Sequence, residues 1–226
     1  MKNKKIYILI FYLIFCLCPH LVFSKEEKNN RTSQLTVEAD ESIEWFEKEK
    51  YYVAKGNVLL KKDGLTLKAN YVKAIYLDEN GENVLTKITA KKDVFLSKGK
   101  AKASGEFMTY DLKTKIAVIT GQFQTFSSPS GYIESKKMIK FNDFNNKAEA
   151  SGEVKIILPN KTKIFGNNVK ANFTGKDKSL TNATVKGNVI IVNTKKGQKS
   201  KADLGIYNSS NSIIKLSGNV IIINKK

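Results

Sequence analysis

Cys16, Cys18 and His20 are the only thiols and the only imidazole in the chain, so nucleophilic, acid–base or zinc chemistry would have to start with them. All three lie close to the amino terminus, in a segment of recognisable layout. Residues 1–5 are positively charged, residues 6–17 form an unbroken apolar run, and Val22-Phe23-Ser24 is a small-residue cleavage pattern. This layout reads as a secretory signal peptide spanning residues 1–24. The competing reading is an uncleaved anchor. The apolar run is shorter than the roughly 20 residues of a membrane-spanning helix, and the anchor requires Pro19 and His20 to be accommodated within it. Cleavage after Ser24 would leave no cysteine and no histidine. The remaining chain then has no disulfide framework, no imidazole base and no thiol nucleophile. No catalytic residue, metal ligand or cofactor is assigned, and an enzyme is not expected.

Charge offers a second candidate chemistry. The chain carries 39 basic and 21 acidic residues, a net charge of +18. Three of the lysines and none of the acids fall within the leader, so its removal lowers the net charge to +15. A nucleic-acid binder is the obvious inference from such a balance. However, Arg31 is the only arginine, and bidentate reading of phosphate or guanine favours arginine. The lysines are dispersed and often alternate with apolar residues. They read as one solvated sheet face, with weak long-range attraction to anionic lipid as a secondary effect, and no nucleic-acid partner is expected. Asp40, Glu41, Glu44, Glu47 and Glu49 supply the oxygen ligands that calcium takes, but in this setting they read as a solvated hairpin. Trp45 beside them is assigned to the core.

The elements that must position any site are strands. Val58 and Leu60 alternate with Asn57, Leu59 and Lys61, and Leu65, Leu67 and Ala69 with Thr66, Lys68 and Asn70. Period 2 is the signature of half-buried strands. Turns are predicted at residues 62–64, 78–81, 111–115, 142–147 and 208–211, each rich in Asn, Asp, Ser or Gly. Residues 41–51 read as strand-turn-strand rather than helix. Residues 25–33 read as a polar, flexible lead-in, leaving 34–226 as one repeat domain.

A small pattern recurs along that domain: Gly56-Asn57-Val58, Gly121-Gln122-Phe123, Gly152-Glu153-Val154, Gly187-Asn188-Val189 and Gly218-Asn219-Val220, with a degenerate copy at Lys92-Asp93-Val94. The intervals are 36, 29, 31, 35 and 31 residues. Each copy is expected to introduce a strand, and repetition at this spacing means one supersecondary unit stacked on copies of itself. The result is an all-β fold with a continuous apolar face.

Two stretches carry a resemblance. Leu35-Thr36-Val37-Glu38-Ala39-Asp40, Gly56-Asn57-Val58 and Leu65-Thr66-Leu67-Lys68-Ala69-Asn70-Tyr71-Val72 resemble the opening of the LptA (OstA-like) family. Residues 103–123, with Met108, Tyr110, Ala117-Val118 and Thr120-Gly121, resemble its central repeat. The likeness covers about residues 34–158, and the repeat then continues to the end of the chain. It implies an open β-jellyroll of two facing antiparallel sheets, with an apolar groove holding the acyl chains of lipopolysaccharide. It also implies a periplasmic location, outer-membrane assembly as the process served, docking onto homologous jellyroll domains of inner- and outer-membrane components, and head-to-tail self-association. Its relatives include inner-membrane-anchored LptC-like proteins, so tethered and free forms both remain open. No Gly-x-x-x-x-Gly-Lys phosphate loop is present, so energy for transport would come from elsewhere.

By resemblance the groove includes Leu35, Val37, Phe95 and Tyr110. By alternation it also includes Val58, Leu60, Leu67 and Val118. The same set would equally build a closed β-sandwich core in a structural protein with no lipid ligand. Partner-pairing edges are expected at Leu35 and Val37 on the first strand and at Val220, Ile221 and Ile222 on the last.

Overall fold

A computed structural model of the chain describes residues 35–175, 178–193 and 197–224. The expected signal peptide and lead-in lie outside the described residues. The fold is all-β, with no helix among the described residues. Sixteen strands follow one another: β1 (Thr36–Glu38), β2 (Ser42–Phe46), β3 (Tyr51–Lys62), β4 (Leu65–Glu79), β5 (Glu82–Lys98), β6 (Ala101–Asp111), β7 (Ile116–Thr120) and β8 (Gln124–Ser128). The second half continues with β9 (Gly131–Ser135), β10 (Met138–Asn142), β11 (Lys147–Ile157), β12 (Lys163–Thr174), β13 (Ser179–Asn193), β14 (Gln198–Asn208), β15 (Ile213–Ser217) and β16 (Ile221–Asn224). Every pairing is antiparallel, and the order along the sheet is close to the order along the chain. All five predicted turn regions fall at strand junctions.

The recurring glycine pattern turns out to be a corner, inside a continuous strand at Gly56, Lys92, Gly152 and Gly187 and just ahead of a new strand at Gly121 and Gly218. Ladder register shifts between Lys55 and Val58, between Lys91 and Val94, between Ser151 and Val154, and between Lys186 and Val189. At Gly152 and Glu153, φ is 84° and 50°, two successive left-handed residues inside one strand. A bulge of this kind bends a strand and increases its twist. Glycine suits the first position on two counts: it tolerates the left-handed backbone, and a Cβ there would lie 2.5 Å from Lys137 Cβ. The first and last corners share a further tie. The Asn57 amide donates to Asp40 Oδ2 at 2.8 Å, and the Asn219 amide donates to Asp203 Oδ2 at 2.8 Å. The expectation of a strand initiator holds at Gly121 and Gly218, where β8 and β16 follow, and fails at the other four copies, because Gly-x-Val reads alike at a strand start and at a bend.

The row of corners folds the ladder into two facing half-sheets. One contains β2, β7, β10 and β15 with the adjoining halves of the long strands, and the other contains β1, β8, β9 and β16 with the remaining halves. Side chains from both halves join one apolar core, including Leu60, Leu67, Val94 and Ile156 from one and Ile88, Met108, Ile139 and Val169 from the other. A fully buried side chain of this size contributes roughly 1.5–3 kcal/mol. Lysines alternate with core residues along the outer face, as Lys170 does between Val169 and Ala171. Lys73 Nζ sits 3.5 Å from the Tyr51 ring centroid on that surface.

The topology is duplicated. Strands β7 and β8 both pair with β6, flanking one corner, just as β15 and β16 both pair with β14. Strands β9 and β10 both pair with β11, just as β1 and β2 both pair with β3. The chain is therefore two eight-strand modules in tandem, β1–β8 and β9–β16. They join through β7 with β10 and β8 with β9.

Candidate functional site: an apolar trough

The trough is built by alternation on each half-strand. Leu60 and Leu67 are cross-strand partners, as are Leu67 and Leu96, and Leu96 and Ala103. Ile88 and Tyr110 pair on the opposite wall, followed by Tyr110 and Ala117, then Ala117 and Phe141. Between the walls lies an apolar cavity of about 200 Å³. Phe126 faces Phe141 across it, with ring centroids 5.8 Å apart and planes 14° from parallel. Phe173 meets both rings edge-on. Burial, with Asp143 nearby, pushes the Tyr110 phenol above its ordinary pKa, so it remains a neutral lining group. A second cavity, of about 370 Å³, lies at the carboxy-terminal end between Leu158, Ile191, Tyr207, Leu216 and Ile222.

Of the expected groove residues, Leu35, Leu60, Leu67 and Tyr110 line the first cavity. Val58 is buried beside its corner without lining the cavity, and Val37 packs on the core opposite Leu60. Phe95 and Val118 are on the other side of the sheet. Phe95 lies between the inward Val94 and Leu96, and Val118 between the inward Ala117 and Ile119. In both places the expectation was out of phase by one residue. Uninterrupted apolar runs, Val94-Phe95-Leu96 and Ile116-Ala117-Val118-Ile119, hide the period. Cross-strand pairing sets the phase that these runs hide: Leu96 lies opposite Ala103, and Met108 opposite Ile119. Phe126, Ile139 and Phe141 lie on short strands that flank the joint between modules and carry too few residues to show a period.

Trp45 is also not core. It is 55% exposed, its Nε1 donates to the Tyr76 hydroxyl at 2.6 Å, and its ring stacks on Tyr52. With Ile43 it forms the inner row of β2, which pairs with β3 and has no strand on its far side among the described residues. Within the acidic cluster nearby, Asp40 and Glu44 are engaged, Asp40 by Asn57. Glu44 accepts from Lys55 at 2.8 Å and from Ser42, contacts that hold its pKa below the ordinary value. No grouping that could hold a metal occurs among the described residues. At the other end, Val220 just before β16 and Ile221 and Ile222 on it are exposed, and β16 pairs only with β14 among the described residues. Ile222 faces the trough and Ile221 points out.

A rim of charge surrounds the mouth of the first cavity, with Lys62, Lys98, Lys102, Lys115 and Lys178 against Asp63 and Asp143. Lys98, at the lip of one half-sheet, donates to Asp143 Oδ2 on the opposite lip at 3.0 Å. Lys178 donates to Asp143 Oδ1 at 2.5 Å and to Asn146 at 2.6 Å, and lies 5.0 Å from the Phe141 ring centroid. A second crossing joins the lips where the Leu180 N–H donates to Ser130 Oγ at 2.9 Å.

These features define an open β-jellyroll whose interior is an apolar trough with no further strand paired at either end among the described residues. Residues 36–143 and again 132–226 match the family described as LptA/(LptD N-terminal domain) LPS transport protein, and the chain belongs to that family. The family is one of transport proteins rather than enzymes. No curated protein matches the sequence. Among solved structures, the chain resembles LptH, the LptA homologous periplasmic component of the lipopolysaccharide transport device from Pseudomonas aeruginosa. The two are 13% identical over 87% of this chain and 98% of that one, with a TM-score of 0.27.

Proposed function

We propose that this protein is a periplasmic lipopolysaccharide carrier, serving outer-membrane assembly, which shields acyl chains in its trough while they cross water. The observation that carries this reading is the cavity walled by Leu60, Leu67, Tyr110, Ile119 and Phe141 between two half-sheets. Each methylene withdrawn from water gains about 0.8 kcal/mol, so an apolar lining is all that the task requires. The decisive experiment is photocrosslinking to lipopolysaccharide with a photoreactive residue at Leu35, Leu85 or Tyr110. Phe95 and Val118 are the outer-face controls. Adducts confined to the first three positions support the reading. Adducts at none of them, from folded protein, would point to a structural β-repeat that docks proteins instead. Recovery of a mature amino terminus at Lys25 would separate a free carrier from a tethered relative.

The bridging role rests on the two unpaired ends, and the joint between modules supplies its geometry. Inside the chain, Ile119 lies opposite Ile139, Ala117 opposite Phe141, and Phe126 opposite Ile133. Mapped onto the ends by equivalent corners, this pairing sets Leu216 against Ile43, Ile214 against Trp45, and Ile222 against Val37 of a second copy. A homologous jellyroll domain in either membrane's transport components could use the same pairing.

A further inference from the structure

The ion cluster at the mouth of the first cavity is more than surface decoration. Lys178 is only 13% exposed, yet its ammonium is aimed at a carboxylate on the rim of an apolar space. Lys98 reaches the same carboxylate from the opposite lip. Two ammonium groups thus converge on one oxyanion where an apolar guest lying in the trough would end. A carboxylate bears one charge and two oxygens. A phosphoryl group bears about −1.5 to −2 charges and three acceptor oxygens at neutral pH. Another carboxylate would merely replace like with like, whereas a phosphoryl group gains from the exchange.

Resting on the carrier reading above, we propose that Lys98 and Lys178 form a headgroup site for acylated amphiphiles bearing a phosphoryl group, and that Asp143 is an internal competitor for that site. Exchange would also break the Lys98–Asp143 bond between the lips, leaving the Leu180–Ser130 bond as the other crossing described. Headgroup capture and opening of the mouth are then one event. Selectivity follows from the same arrangement, because an uncharged amphiphile gains nothing from Lys98 or Lys178 and leaves the lips tied.

The test uses the mature chain with N-phenyl-1-naphthylamine, an uncharged fluorophore, displaced by decyl phosphate, by decanol or by inorganic phosphate. Decyl phosphate should displace it at about tenfold lower concentration than decanol, the factor expected of charge-assisted hydrogen bonds. The double variant Lys98→Gln/Lys178→Gln should erase that preference and leave decanol unchanged. Lys98→Gln alone should reduce it, and this variant keeps the Lys178–Asp143 pair should the double one fold poorly. Asp143→Asn should improve decyl phosphate about threefold, since the competing carboxylate charge that Lys98 and Lys178 both engage is lost, with decanol little changed. Equal displacement by decyl phosphate and decanol in the wild type would overturn the headgroup site and leave the trough standing. Asp143→Asn weakening both amphiphiles alike would make the cluster purely structural. Displacement by inorganic phosphate at the concentration effective for decyl phosphate would show a site for free phosphate instead. No uptake of the fluorophore by the wild type would overturn the carrier reading itself, and the headgroup site with it.

Discussion

Gln124 is a side chain whose chemistry works against the fold. It is fully buried at the start of β8, and neither its amide nitrogen nor its oxygen has a hydrogen-bond partner among the described residues. A buried polar group left unmatched costs about 1–3 kcal/mol. Gln124→Leu should therefore raise the unfolding free energy by roughly that amount, read as a shift in the urea midpoint at constant slope. A lower midpoint would mean that the amide has a role in the joint. Asp143 makes a different prediction. Burial raises the pKa of its carboxyl, but hydrogen bonds from Lys178 and Lys98 and their charges outweigh burial and hold it below the ordinary value. A depressed carboxyl stabilises the folded state above the unfolded pKa, and that contribution is lost as pH falls through the folded pKa. The melting-temperature gap between wild type and Asp143→Asn should be constant from pH 8 to 5 and close below about pH 4. A gap that instead opened and closed around neutrality would assign the effect to another group. At this scale the sequence was legible where apolar and polar residues strictly alternate, as at Leu65, Leu67 and Ala69. It was not legible at Phe95 and Val118, where both faces of the strand are apolar and only the partner strand fixes the phase.

At the scale of elements, the corners decide whether sixteen strands make a flat ribbon or a trough. Gly152 carries a double demand, with a left-handed φ of 84° and Lys137 pressed against the missing side chain. Gly152→Ala should destabilise the chain by about 1–3 kcal/mol through backbone strain. Gly64→Ala is the comparison, because φ there is 72° but the space beside it is open. A smaller loss at Gly152 than at Gly64 would show that the close approach to Lys137 relaxes freely. The positions of the corners were evident from the repeat interval, and their turns from composition. Their nature was not, because a bulge depends on two left-handed residues facing one on the neighbouring strand, and that relation spans separate parts of the sequence. Lys92 and Asp93 adopt the same pair of conformations, φ 60° and 54°, with no glycine at all.

At the scale of the molecule, the joint between modules is a worked example of how two ends can meet. Residues directly opposite in an antiparallel pair have Cβ atoms about 4.5–5.5 Å apart, close enough for a disulfide to form with small adjustment. Mixing Ile43→Cys protein with Leu216→Cys protein, each begun at Lys25 so that Cys16 and Cys18 are absent, should trap a covalent dimer under mild oxidation. Ile43→Cys mixed with Ile213→Cys should give far less, because that pair is three positions out of register. Equal yields from both mixtures would mean that the ends meet without the alignment of the internal joint. The tandem character of the chain was half visible in its sequence. The six-fold pattern was plain, but the grouping into two eight-strand modules depends on which short strands share a long neighbour.

Duplication also turns the trough into a ruler. Twelve strand positions succeed one another along the ladder, and neighbouring strands lie about 4.8 Å apart, so one chain spans about 55–60 Å. Each module supplies half of that. Because the interior of the joint is made of the same alternating rows as the rest, reach can change only in whole modules or whole copies, in steps of about 29 Å. A gap to be bridged would thus be matched by counting units, with any remainder taken up by the curvature of the stack rather than by the length of a flexible tether.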